Sequence, residues 1–238
     1  MTGLDIRIQE IRERIGAASR RRADRGMVSD PVTLVSVTKA FPVEVAQAAI
    51  RQGLLDLGES RPQEFRDKVG LLPADVRWHF IGRLQRNKVK YVVGRVALVH
   101  SVDRLALAEA ISERAVARGC VQDVLLQVNV AQDPAKAGFP VEAVEDALLR
   151  MGEWEGVRVR GLMTIPAHGV EPEVSRPAYR VLSDVSRQLR NAEVLDADAT
   201  QLSMGMSGDF EIAIEEGATL VRVGTGLFGT RPAAAIRE

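Results

Sequence analysis

One cysteine, Cys120, stands in 238 residues. It excludes an internal disulfide and any zinc site built on paired cysteines. The three histidines, His79, His100 and His168, share no metal-ligand spacing, so no metal is expected. Net charge is absent too: 32 Lys+Arg meet 32 Asp+Glu. Nothing therefore draws the whole molecule onto nucleic acid or an anionic membrane. No apolar run reaches the ~18 residues that span a bilayer. The opening MTGLDIRIQEIRERIGAASRRRADRG is broken by Asp5, Glu10 and Glu13. No signal-peptide core or transit peptide is read there, and the expected compartment is the cytoplasm. GxSxG, Walker and HExxH patterns are missing. Lysine is scarce, with five among the 32 basic residues, so wherever a plain cation serves, this chain writes arginine.

What is present is a rhythm. Leu4, Ile8, Ile11 and Ile15 make one apolar stripe, which predicts an N-terminal helix over about 3–24. Its basic end, Arg20 to Arg22, reads as a solvated helix terminus, with a nucleic-acid arm as the other reading. Eight strands are then predicted at 32–38, 54–58, 77–82, 96–102, 123–130, 157–165, 200–205 and 219–224. Helical sequence follows most of them, with Ser60 and Asp103 as candidate caps. Most strands are continuous apolar runs, which means burial on both faces and a parallel sheet under helices. Eight βα units in about 200 residues fit a (β/α)8 TIM barrel with an extra N-terminal helix. A doubly wound open sheet is the alternative. No linker or composition shift marks a second domain, so 1–238 is read as one domain with its barrel over about 31–232.

A barrel does its chemistry at the C-terminal ends of its strands. Lys39 ends the run VTLVSVT there. An amine partly withdrawn from water is a candidate nucleophile for a Schiff base; the other reading is a strand-end lysine reaching solvent. VRVGTGLFG, 221–229, puts Gly224 and Gly226 around Thr225 after the last strand, and Ser207 and Gly208 follow the seventh. These loops suit phosphate, or are two tight turns. Arg222 lies inside an apolar strand with Val221 and Val223 pointing the other way. It either meets an acceptor in the barrel or pairs with a carboxylate in the helix layer. Pyridoxal phosphate offers an aldehyde, a phosphate and a ring nitrogen, and so would satisfy lysine, loops and arginine together.

At these residues the chain resembles the YggS/PROSC family of pyridoxal phosphate homeostasis proteins. The matching stretches are SVTKAFP (36–42), LGESRPQEF (57–65), WHFIGRLQRNK (78–88), HSVDR (100–104), LLQVNVAQDPAKAGF (125–139), RGLMTI (160–165) and LSMGMSGDFEIAIEEGATLVRVGTGLFGTR (202–231). The resemblance implies a barrel like the N-terminal domain of alanine racemase, with pyridoxal 5'-phosphate held as a Schiff base on Lys39. Arg222 would face the pyridine nitrogen, and Ser207, Gly224 and Thr225 would hold the phosphate. Ser60, His79 and Met163 are carried as further cofactor-binding candidates. Ser60 stands where the family usually has Asn, while His79 and Met163 also read as a core histidine and barrel lining. The implied function is intracellular homeostasis of the cofactor without turnover. Arg222 cannot act as an acid–base group for the ring, and the two tyrosines, Tyr91 and Tyr179, fall in or near helices, away from the strand ends. An amino-acid racemase-like enzyme and a Schiff-base aldolase on a sugar phosphate are the alternatives. Expected partners are the cofactor and client apoenzymes, with no nucleic acid or membrane, in a monomer or weak dimer.

Overall fold

The structure, a computed structural model, describes residues 3–27, 30–133, 135–166 and 171–230. His168, part of the proline-containing loop after the sixth strand, and the last two positions of the expected barrel lie outside them. Eight strands alternate with helices: α1 (Gly3–Asp24), β1 (Thr33–Val37), α2 (Val43–Arg51), β2 (Asp56–Glu59), α3 (Pro62–Val69), β3 (Arg77–Phe80), α4 (Val89–Val92), β4 (Leu98–Val102), α5 (Leu105–Val116), β5 (Gln122–Gln127), α6 (Val144–Gly152), β6 (Val157–Met163), α7 (Arg176–Asn191), β7 (Gln201–Met206), α8 (Phe210–Glu215), β8 (Leu220–Val223) and α9 (Thr225–Phe228). The strands pair in sequence order, and β8 returns to β1 in parallel register, Leu34 opposite Val221 and Val35 opposite Arg222. The sheet is a closed parallel barrel, so the open-sheet alternative falls.

Closure sorts the alternating side chains into two cores. Val35, Leu98, Leu125, Met163 and Leu220 fill the barrel. Leu57, Phe80, Val99, Leu126, Leu162, Val221 and Val223 face the helices. Each such side chain contributes about 2 kcal/mol on burial. The stripe on α1 behaves as its spacing predicts: Ile8 and Ile11 are buried, and the helix packs on α8 and α9. Arg14 pairs with Glu211, and Arg21 with Glu215.

Three local readings need correction. Arg22 is buried at 5% exposure, with Nη1 donating to the Ala218 carbonyl, so the basic end of α1 is in part a docking contact. Ser60 is not the cap of α3, which starts from Arg61 with Pro62 in its first turn. Asp103 does not cap α5 either; its carboxylate accepts from the neighbouring Arg104. Among the described residues, no helix is long and apolar enough to cross a membrane, and no group of three or more His, Cys, Asp or Glu could hold a metal ion.

Candidate functional site

A cavity of about 260 Å³ opens at the C-terminal mouth of the barrel. Its lining includes Lys39 from the end of β1, Met206, Ser207 and Gly208 from the β7 loop, and Arg222, Gly224 and Thr225 from β8 and its loop. Val37, Ile81 and Ile165 supply apolar wall. The barrel thus gathers five of the eight candidate residues, from segments nearly 190 positions apart. A larger groove of about 530 Å³ runs along α1, but it lies off the barrel mouth and contains no lysine.

Lys39 sits on a turn that its neighbours hold from below. The Thr38 amide donates to the Gly58 carbonyl, and the Phe41 amide to the Thr38 carbonyl. Lys68 Nζ donates to that same carbonyl at 2.8 Å and to Glu59 Oε1 at 2.6 Å. Thr38 Oγ1 donates to Glu59 Oε1 at 2.7 Å. Ala40 takes a left-handed φ of 64°, which costs a non-glycine residue about 1 kcal/mol, and its amide is tied to Glu64 Oε2 at 2.7 Å. Burial raises the Glu59 carboxyl even though Lys68 opposes it. Lys68 is the support that no sequence pattern singled out, because its pairing with Glu59 at the end of β2 exists only once α3 folds against β2.

The β7 and β8 loops converge on Ser207. Its Oγ accepts the amides of Gly224 at 3.3 Å and Gly226 at 3.2 Å, which leaves the hydroxyl hydrogen for an incoming acceptor. Gly205 allows the turn into this loop: its φ is 89°, and a Cβ there would stand 2.6 Å from that of Ala213.

Arg222 points into the barrel and is 4% exposed. Nη1 donates to Ser203 Oγ at 2.6 Å and Nη2 to the Thr164 carbonyl at 3.0 Å. Among the described residues no carboxylate lies within salt-bridge distance of it, so the reading of Arg222 as half of an ion pair with the helix layer is not what forms. Burial draws its guanidinium down to about 10, opposed by the fields of Tyr179 and Asp209. It remains a cation at neutral pH.

Three candidates stand elsewhere. Ser60 lines a neighbouring hollow with Arg61, Arg83 and Lys88, because β2 ends before it and the chain turns outward. Met163 is fully buried in the barrel core beneath the cavity. His79 is 5% exposed and spent on structure: Nε2 lies 3.0 Å from Asp56 Oδ1, and Nδ1 2.9 Å from His100 Nε2. Of the tyrosines, Tyr179 is fully buried with its hydroxyl donating to Asp209 at 2.6 Å, and burial pushes it well above its ordinary range. Tyr91 lies on α4 among Arg66, Lys88 and Lys90. Neither lines the cavity.

Asp56 makes a testable point of its own. Burial alone would raise its carboxyl, but hydrogen bonds from His79 and Arg77 prevail and hold it at about 2. A depressed acid contributes stability above its unfolded value near 3.8 and loses it as pH falls toward 2. Asp56→Asn is therefore expected to destabilise the chain by on the order of 2 kcal/mol at pH 7. Urea midpoints should show the gap narrowing between pH 4 and pH 2. A gap that stays constant would refute the linkage.

The family described as alanine racemase, N-terminal domain, matches residues 17–232. A pyridoxal phosphate homeostasis protein of Aquifex aeolicus is 45% identical over 94% of this chain and 97% of its own. A crystal structure of a protein from Bifidobacterium adolescentis superposes with a TM-score of 0.86 at 34% identity, covering 94% of each chain. PipY of Synechococcus elongatus, solved with PLP bound, superposes with a TM-score of 0.76 at 33% identity, covering 89% of this chain and all of its own. With a single closed barrel and relatives that match it nearly end to end, the chain belongs to the pyridoxal phosphate homeostasis protein family, on the alanine racemase N-terminal-domain fold.

Proposed function

We propose that this chain binds pyridoxal 5'-phosphate at the mouth of its barrel and serves the intracellular homeostasis of that cofactor, without turning over an amino acid. The observation that carries this reading is the meeting of an amine, a loop hydroxyl and a buried guanidinium on one cavity. When bound, the cofactor supplies an aldehyde that condenses with a primary amine. Lys39 is the lysine of that cavity and is assigned as the amine. Ser207 directs its hydroxyl hydrogen at the phosphate, beside the Gly224 and Thr225 backbone. Arg222 is the donor for the ring nitrogen. A cation that keeps its protons at neutral pH withholds the proton that a carboxylic acid would deliver there.

Racemisation also needs a base on the opposite face of the ring. Tyr179 is occupied by Asp209, and no other tyrosine lines the cavity. Holding and releasing the cofactor, with client apoenzymes as recipients in the cytoplasm and the chain as a monomer or weak dimer, is the reading consistent with that site. Titration of the purified chain with pyridoxal phosphate should produce a visible absorbance band that saturates near one equivalent. Absence of the band overturns the reading. Amino acids incubated with the loaded protein in heavy water should retain their α-hydrogen; exchange would favour the racemase-like enzyme. Arg222→Gln is expected to weaken cofactor binding about tenfold and to shift the band.

A further inference from the structure

Arg222 is the near end of a hydrogen-bonded file that crosses the whole barrel. Ser203 Oγ stands 2.6 Å from Arg222 Nη1 and 2.8 Å from His100 Nδ1. His100 Nε2 stands 2.9 Å from His79 Nδ1, and His79 Nε2 stands 3.0 Å from Asp56 Oδ1. At the far mouth Arg77 closes the file, its Nε donating to Asp56 at 2.8 Å. His100 and Ser203 are fully buried, so bulk solvent does not reach them.

The two ends dictate the polarity. A guanidinium only donates, so Ser203 Oγ must accept from Arg222 and has its own hydrogen to give to His100 Nδ1. An ionised carboxylate only accepts, so His79 must present Nε2–H to Asp56, and its Nδ1 must accept from His100 Nε2–H. The two requirements meet without conflict when both rings are neutral. A cationic His79 would donate from Nδ1 as well. His100 would then carry its proton on Nδ1 against Ser203, whose oxygen would face two donors while its own hydrogen lost its acceptor. Burial, the largest cause, holds His100 well below its ordinary value.

We propose that Asp56, His79, His100 and Ser203 are positioning residues that aim Arg222 at the cavity through a one-way file, with both imidazoles neutral and protonated on Nε2. Tyr179, on α7, and Asp209, between β7 and α8, also face Arg222, but they are paired with each other, so they supply field rather than direction. The file rests on the proposed function only for its consequence, the fixed donor offered to a ring nitrogen. Its existence is a property of the barrel itself.

Long-range ¹⁵N–¹H correlation spectra of the apo chain test it. Both His79 and His100 are expected as neutral Nε2–H tautomers at pH 7. A proton on Nδ1 of either ring, or a cationic ring, overturns the proposal. Hydrogen exchange at the Arg222 guanidinium reads the aiming directly. Ser203→Ala and Asp56→Asn should each speed it about tenfold, whereas unchanged exchange in a folded variant overturns the positioning role. If Ser203→Ala does not fold, Asp56→Asn decides, since it alters the far mouth without touching the cavity. Cofactor affinity should fall in the same two variants while the visible band persists. A wild-type chain that binds no pyridoxal phosphate would sink the proposed function, while the tautomers and exchange rates would still decide for or against the file.

Discussion

Lys39→Ala is expected to abolish the visible band that the wild-type chain gains with pyridoxal phosphate, the largest functional effect of any single substitution here. The band requires a carbon–nitrogen double bond conjugated with the ring, and that bond requires a primary amine at the cavity. Lys39 is the lysine in the lining; Lys68 is locked to Glu59 and Thr38, and Lys88 opens on the adjacent hollow. The phosphate contacts proposed for Ser207, Gly224 and Thr225 would not depend on the amine. The variant should therefore still take up the cofactor, about ten- to a hundredfold more weakly, as the free aldehyde. Borohydride treatment of the loaded wild type, followed by peptide mass spectrometry, should place the label on the peptide that contains Lys39. Label on Lys136 instead, or none, would remove the assignment.

Lys68→Met is expected to have the largest effect on stability, a loss of about 3–5 kcal/mol at pH 7. Glu59 is fully buried and its Oε1 receives both Lys68 and Thr38. Without Lys68 the carboxylate is left in the interior with a hydroxyl as its remaining partner, and the Thr38 carbonyl loses its ammonium. The deficit should shrink as pH falls and Glu59 takes up a proton, because burial already raises it. Adding Glu59→Gln to Lys68→Met should restore most of the loss, since the uncompensated charge is then gone. Urea unfolding of the two variants measures both effects. A single-variant loss below about 1 kcal/mol would show that the pair does not anchor the Lys39 turn.

What the sequence by itself determined was local and periodic. Continuous apolar runs separated by helical stripes specify eight buried strands, and a run's end specifies which residues reach a barrel mouth. That is why Lys39, Ser207, Gly224 and Thr225 were legible one segment at a time. For Arg222 the alternation with Val221 and Val223 left two faces open, the barrel interior and the helix layer, and only closure put it inside. The residues that aim and anchor these groups were not legible. Asp56, His79, His100 and Ser203 come from four strands, and Glu59 and Lys68 from a strand and the following helix. Strand periodicity tells which side chains share a face. It does not tell which residue lies across the barrel, or at what height. Those relations are set by the stagger with which eight strands close on one another. His79 therefore looked like a cofactor contact in sequence and became a member of an internal file in the fold. Ser60 looked like part of the mouth and was carried outward by the turn into α3. Closure brings β3 and β4 face to face with β7 and β8 across the interior, and only that packing decided which polar groups would share their hydrogens.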